Sequence, residues 1–596
     1  MKIFQNFYFV LLLLVLTGAL AYANSWHVPF QFDDEANILK WWITDITKVH
    51  HIWDFNVRTR FLPYLSFSLN YFFFRDNVFG YHVVNYFIHI ANGLWVYLLT
   101  VFLIRTPKMN SIFSPQAGAG IALFAALIFV AHPLQTQAVT YIVQRISSMA
   151  AFFYLGACVA YLNYRLKGMA RFYFISLAMT CAAMFCKENA LTLPFMIMLI
   201  DWIFFGFSKH PKRKVVRDLL PLLACAGIVP FFFHFYSKAR WGASMLDYQA
   251  KALPANEYFL TQLNVIRTYL RLFLVPIGQN IDHDFPVSRS FLNTHVLLSA
   301  ALLGGMIAAG FALVKKHKLL SFSIFWLFVT LSVESSFIPL DDVIFEHRMY
   351  LPMAGCAIFV ATALYLAKKN LKIYFGVAFL VISMLGFLTY SRNQVWQTDV
   401  SLWQDVVKKS PHKARGYYNL GLNYDTLGDI VKAEAFYKKA LEIDPNFLLA
   451  LINLGIIDAE NKRYDAAIKE LTHASRLAPR DATTFDNLAV AYFEKGDTQN
   501  ALLNFQKSME ADRYYPGVYH HVGIILRDNG RLEDSIPYFE KAISLNPYFT
   551  AAIFQLAKTQ ILLKRPQDAK FWIAKLEELR QGDLIAELEK LSSKRG

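Results

Sequence analysis

Two adjacent carboxylates, Asp33 and Asp34, follow the first apolar run of the chain, in Phe30-Gln31-Phe32-Asp33-Asp34-Glu35-Ala36-Asn37. An acid set beside lipid and a second acid has its pKa raised, which suits a general base taking a proton from a hydroxyl. The two side chains point in different directions, so only one of them easily faces a reacting group. An isolated Asp-Asp is equally a solvated turn next to a membrane. Cations accompany the pair in loops that are otherwise acid-rich: Arg58, Arg60, Arg145, Lys187, Arg240, Arg267, Arg271 and Arg348, with His347 beside the last. Arginine grips phosphate oxygens in pairs and lysine meets them as a point charge. A phosphate approaching from the membrane would therefore meet Arg58, Arg60, Arg145, Lys187, His347 and Arg348, with His132, Glu188 and Glu346 in support. Internal ion pairs, such as Arg348 with Glu346, are the plainer use of the same residues. Asp282-x-Asp284 and the scattered histidines have the chemistry to bind Mg²⁺ or Mn²⁺, but a bare D-x-D is an ordinary loop feature. No metal or cofactor is assigned.

The elements that must position these residues are membrane helices. The chain has 596 residues, 56% of them hydrophobic and 17% charged, against about 25% charged in soluble domains. Eleven apolar runs of spanning length are expected, near 7–24, 79–104, 117–133, 144–164, 172–187, 189–207, 218–236, 291–314, 319–338, 349–367 and 372–390. The run 261–279 carries two arginines and a proline and reads as interfacial or re-entrant. Lys2, an apolar core and Ala21-Tyr22-Ala23 also resemble a signal peptide; with so many spans following, a retained first helix is expected.

Charge sets the orientation. Up to residue 390 there are 31 Lys+Arg and 17 Asp+Glu, and from 391 onward 28 and 27. The excess of +14 sits in alternate loops, among them Arg165/Lys167/Arg171, Lys209/Lys212/Arg213/Lys214/Arg217 and Lys315/Lys316/Lys318. The positive-inside rule then puts the N-terminus in the cytoplasm and the acidic loops outside. An odd number of spans puts the tail outside as well. No basic face remains on the soluble part, which argues against nucleic acid as a partner. All five cysteines lie in apolar stretches and no C-x-x-C occurs, so neither disulfide stapling nor a zinc site is written here.

The C-terminal part repeats every 34 residues. Asn419, Asn453, Asn487, His521 and Gln555 form one column; Gly421, Gly455, Ala489, Gly523 and Ala557 form another. Pro411, Pro445, Pro479 and Pro547 close the units, with Arg513 in place of one proline. This is the tetratricopeptide (TPR) pattern, and five units predict an α-solenoid with a concave face. The expected division is a membrane domain over 1–390, a linker over 391–410 and a TPR domain over 411–596. The fold class is all-α.

Several motifs resemble those of the transmembrane and TPR-containing O-mannosyltransferases and their bacterial relatives. They are F-x-D-D after the first helix, N-x-F-G-Y-H-x-x-N from Asn77 to Asn85, H-P-L-x-T-x-A-V from His132 to Val139, C-K-E-x-A from Cys186 to Ala190, and E-H-R-x-Y-L-P from Glu346 to Pro352. The resemblance covers the whole chain and implies a GT-C-type membrane half. It further implies transfer of a sugar from a polyprenyl-phosphate donor to a protein or glycan acceptor, with inversion at the anomeric carbon. The catalytic base would lie in the acidic pair Asp33–Asp34. Departures from the family pattern are Arg513 and the continuation Gln144-Arg145-Ile146-Ser147. A membrane-anchored TPR adaptor without activity is the alternative. A flippase would show polar residues at mid-membrane and an internal repeat, and neither is seen. A compact chain of this kind reads as a multi-pass protein of the bacterial inner membrane, with its repeats outside the cytoplasm.

Overall fold

The computed structural model describes residues 6–48, 50–54, 58–206, 212–231, 253–579 and 581–593; the side chains of Trp41, Asp54, Arg58 and residues 212–216 lie outside that description. Every regular element among the described residues is helical. Two units are present: one runs to Pro411, and the other is the repeat array from His412 on.

Among the described residues of the first unit, five helices are long and apolar enough to cross a bilayer: Val78–Ile104, Ile142–Lys167, Glu188–Phe205, Thr294–Leu313 and Leu371–Gln394. Pro115–Ala131 and Pro133–Val139 would together make a sixth, bent by 53°. Four further apolar helices are shorter: Phe7–Ala21, Ala170–Met184, Lys318–Leu331 and Pro352–Lys368. The difference from eleven full-length spans has a local cause. Apolar composition outlasts the helix, as in the run 319–338, where the helix stops at Leu331 and Phe337 and Ile338 follow in non-helical backbone. The run 218–236 lies partly outside the described residues. The interfacial stretch 261–279 is one helix, Ala255–Leu274, that buries the face carrying Tyr258, Val265, Tyr269 and Leu272.

Burial separates the centre from the rim. Val78–Ile104, Pro115–Ala131, Arg145–Lys167 and Pro352–Lys368 pack on one another, and close approach requires small residues there. Where Pro352–Lys368 meets Lys318–Leu331, a Cβ on Gly355 would lie 2.7 Å from the Trp326 ring and 2.9 Å from the Ser323 carbonyl oxygen. At the rim, Leu371–Gln394 leaves Phe379 72% and Phe387 69% exposed. Large side chains so displayed along apolar helices need lipid as their solvent. The chain is a multi-pass membrane protein.

Residues 391–411 are not a free linker. Thr398 caps the helix Asp399–Lys409 in a reciprocal capping box, and that helix belongs to the first unit. Arg392 pairs with Asp405 at 2.7 Å, Lys409 Nζ reaches the Gln279 carbonyl at 2.7 Å, and Ser410 bonds the 280–284 loop.

The second unit consists of five helix pairs, from Ala414–Thr426 with Ile430–Ile443 to Thr550–Leu562 with Pro566–Glu578, closed by Gly582–Ser593. The glycine column marks the crossing points: a Cβ on Gly421, Gly455 or Gly523 would come within 2.6 Å of Tyr437, Leu471 or Phe539. Each first helix ends the same way. Gly428, Lys462, Gly496, Gly530 and Lys564 all take positive φ. The next residue's N–H returns to the carbonyl five positions back, from Asp429 to Tyr424, Arg463 to Asp458, Asp497 to Tyr492, Arg531 to Leu526 and Arg565 to Gln560. Glycine takes this left-handed corner freely, whereas a side chain costs about 1–2 kcal/mol. Lys462 and Lys564 bear that cost. In denaturant titrations of the detergent-solubilised chain, Gly496→Ala is expected to lower the stability of the array by about 1 kcal/mol. Lys462→Gly is expected to raise it by about 0.5 kcal/mol, once the backbone entropy of glycine is subtracted.

Candidate functional site

The two adjacent acids part company at a backbone corner. Phe32 has φ +52, uncommon for a residue with a side chain, and its ring packs on Tyr141 and Trp403. That corner turns Asp34 inward, with no exposure at all, and leaves Asp33 exposed. Asp34 Oδ2 accepts the Gln31 N–H at 3.0 Å and Oδ1 accepts the Val143 N–H at 2.6 Å. It clips the first loop to the turn before Arg145–Lys167. Asp33 donates its own N–H to Tyr141 Oη at 3.1 Å, which fixes the backbone from which its carboxylate projects.

Burial pushes the Asp34 carboxyl up to about 8; the neighbouring Asp33 adds to the rise and the backbone N–H donors oppose it. In the unfolded chain the same group ionises near 4. Its folded pKa is the higher one, so its contribution to stability is complete below about pH 4 and is lost as pH rises through about 8. Thermal melts in detergent should therefore show stability falling from pH 5 to pH 8.5 in the wild type. Asp34→Asn should flatten that slope.

The cations gather from loops far apart in sequence. His347 sits within electrostatic range of Lys187, Arg348 and Arg60, and burial together with these charges holds its imidazole well below its usual pKa. Its Nδ1 is buried without a hydrogen-bond partner. Lys187 Nζ lies 2.7 Å from Glu334 Oε1 and 3.1 Å from Ser147 Oγ. Arg60 meets Glu188 at 3.4 Å, with the Thr59 hydroxyl on the same oxygen at 3.2 Å. Arg348 donates to the carbonyls of Val343 and Asp342 at 3.0 and 2.7 Å. Tyr64 lies in electrostatic range of Arg60, Asp33 and Glu188; its hydroxyl donates to Asn37 Oδ1 at 3.2 Å, and Asn37 Nδ2 donates to the Asp33 carbonyl at 2.8 Å.

Other expected site residues do different work. Arg145 has no exposed surface. Its guanidinium donates to Asn85 Oδ1 at 2.6 Å, Asn70 Oδ1 at 2.5 Å, Ser66 Oγ at 3.3 Å and the Tyr81 carbonyl at 3.1 Å, with Phe67 beneath it. A charge so fully satisfied has no donor to offer a phosphate, so Arg145 leaves the phosphate set. His132 donates from Nε2 to the Phe273 carbonyl and accepts the Leu134 N–H at Nδ1; it ties the bent helix pair to Ala255–Leu274. Glu346 accepts the Asn280 N–H at 2.6 Å and lies 3.1 Å from His283 Nε2, and does not pair with Arg348. The Arg58 side chain and Arg240 lie outside the described residues. In the Asp282–Asp284 loop, Ser410 Oγ accepts the Asp284 N–H and donates to the Asp282 carbonyl. Among the described residues, no three His, Cys, Asp or Glu side chains converge to hold a metal.

Residues 414–447 and 526–590 match the tetratricopeptide repeat family. Similarity to known proteins runs further. The chain is 24% identical over 396 residues to protein O-mannosyl-transferase F38B6.6 of Caenorhabditis elegans, covering 64% of this chain and 53% of that one. It is 24% identical over 494 residues to Tmtc3 of Drosophila melanogaster, covering 70% and 52%. With TMTC3 of Mus musculus, the match is 21% identical over 636 residues and takes in 95% of this chain and 63% of that one. A match of that extent includes the membrane helices as well as the repeats. The chain is a distant homologue of the TMTC-type protein O-mannosyl-transferases. It spans little more than half the length of the curated relatives it matches. Among solved structures, the thermophilic TPR protein TTC0263 of Thermus thermophilus is 18% identical, covering 30% of this chain and 98% of that one with a TM-score of 0.28.

Sequence reasoning missed Glu334 and Tyr141. Glu334 lies three residues beyond an apolar helix and shares no motif with Lys187, 147 positions earlier. Only the fold pairs them. Tyr141 had a readable signal, since it stands two residues after the His132–Val139 motif.

Proposed function

We propose that the chain is an integral-membrane glycosyltransferase that moves a sugar from a polyprenyl-phosphate donor to a hydroxyl of a protein or envelope glycan. The observation that carries this reading is one exposed carboxylate, Asp33, whose backbone carbonyl is bonded to Asn37 and through it to Tyr64. That tyrosine is in electrostatic range of Arg60, with Lys187 and Arg348 in range of the same His347 as Arg60. Asp33 takes the proton of the acceptor hydroxyl, whose oxygen attacks the anomeric carbon. The bond from that carbon to the phosphate oxygen breaks, with inversion. The prenyl phosphate leaves carrying an additional negative charge, which the cations meet. Asp34 does not touch the reacting atoms; it holds Asp33 in place. The finer topology belongs to the same reading: eleven crossings, the N-terminus in the cytoplasm, and the site and repeats on the far side of a bacterial inner membrane. Alternation of basic and acidic loops supports it. The distant homology to O-mannosyl-transferases favours mannose as the sugar and a serine or threonine hydroxyl as the acceptor.

Asp33→Asn should lower transfer from undecaprenyl-phosphate mannose by about 10²-fold or more with the melting temperature unchanged. Asp34→Asn should lower transfer in proportion to the amount of folded protein. Wild-type transfer by Asp33→Asn would remove the base assignment. The repeats serve as the acceptor platform in this reading. Deleting 412–596 should abolish transfer to a large acceptor and spare slow transfer to a small one in excess; loss of donor binding would instead make the repeats part of the active site.

A further inference from the structure

The cationic group is held by carboxylates of the protein itself, and its ion pairs differ in quality. Glu334 and Lys187 form the tight one, at 2.7 Å with both side chains 10% exposed. Arg60 and Glu188 form a looser one at 3.4 Å, 42% and 37% exposed, where charge-assisted bonds usually measure about 2.7–2.9 Å. Beyond Lys187, Glu334 acts at longer range on Arg60 and Arg348, and its other bonded contact is weak. Its second oxygen is 3.5 Å from Asn189 Nδ2, the limit of a hydrogen bond, and Asn189 Oδ1 is buried without a partner. The nearby carbonyl of Glu334 is anchored separately by the Tyr258 hydroxyl at 2.7 Å, so the backbone stays in place whatever the carboxylate does. Lys187 and Arg60 have Glu334 and Glu188 as their bonded carboxylates, Asp342 acts with Glu334 on Arg348, and His347 is neutral among them. The cations are thus already faced by carboxylates of the protein, and an incoming phosphate has to compete with one of them.

We infer that Glu334 is the resident counter-ion of this phosphate subsite, holding Lys187 when the site is empty and yielding it when a lipid-linked phosphate arrives. This rests on reading the cluster as the donor's phosphate site, as proposed above. Two physical points favour exchange over a permanent pair. A lysine buried without an anion would shed its proton or draw in water, so the empty site needs a counter-ion. A phosphate offers Lys187 the same charge at the same atom, and Asn189 is poised to take over the released carboxylate. The affinity for phosphate is then a difference between two ion pairs, and Glu334 sets one side of it. The same carboxylate helps the site let go of its product, since it competes with the prenyl phosphate for Lys187 after transfer.

The test is binding of undecaprenyl phosphate to the full-length protein in nanodiscs, with undecaprenol as the uncharged control. Glu334→Gln keeps the shape and the hydrogen bond to Lys187 and removes the charge. It should tighten binding of undecaprenyl phosphate about tenfold and leave binding of undecaprenol unchanged. Adding Lys187→Gln should remove that gain. A purely structural ion pair predicts the opposite sign, so equal or weaker binding by a folded Glu334→Gln protein overturns the inference. If Glu334→Gln does not fold, Glu334→Asp withdraws the charge by one methylene. A smaller gain in the same direction then supports the inference and no gain overturns it. A wild-type protein that binds undecaprenyl phosphate no better than undecaprenol overturns both this inference and the phosphate reading beneath it, whereas failure of the variants alone overturns only the role of Glu334.

Discussion

Asp34 accepts two backbone N–H groups from opposite sides of a loop junction, one from Gln31 and one from Val143. Much else follows from this buried bond. It fixes where the first loop meets the head of the central helix Arg145–Lys167, and it turns Asp33 outward by a corner at Phe32. Two residues further along, Arg145 draws together Asn70, Asn85, Ser66 and the Tyr81 carbonyl. At this depth water cannot satisfy stray donors, so a polar group is bonded within the protein or excluded. The outer ends of the helices are therefore set by a chain of saturated polar contacts, and the cations left with carboxylates as partners stand out against it.

That contrast explains how much of the site could be read from the sequence. The motifs around Lys187 and Arg348 identified residues that lie in electrostatic range of one histidine, His347, because charges in apolar surroundings are costly wherever they occur. Residue type alone did not separate a spent charge from an available one. Arg145 and Lys187 look alike in sequence; one is surrounded by neutral acceptors, whereas the other meets a hydroxyl and a carboxylate. Asp33 and Asp34 differ only through a backbone angle at Phe32 that no composition reveals. Glu334 carries no local signal and acquires its place through packing of helices far apart in the chain.

The fold itself was legible in proportion to its periodicity. The 34-residue columns correspond to helix crossings and corners, since a repeat imposes the same contact at the same spacing. Lys462 and Lys564 adopt the corner conformation of their glycine counterparts, which shows that the register of the stack overrides the preference of single residues. The apolar runs were legible as membrane segments but not as helix lengths, because hydropathy does not mark where a helix ends. Residues 391–410 are expected as a linker between the two parts, yet their aromatic and charged side chains lock them onto the membrane unit.

The shortness of several apolar helices has a consequence for the bilayer. A helix such as Phe7–Ala21, with 15 residues, rises about 22 Å, well short of the roughly 30 Å of a typical hydrocarbon core. Surrounding lipids meet that mismatch by thinning. The depression draws headgroups down towards the ends of these helices, where the first loop begins. A lipid headgroup beside the protein then lies closer in depth to the loop of Asp33 than it would in an undeformed bilayer.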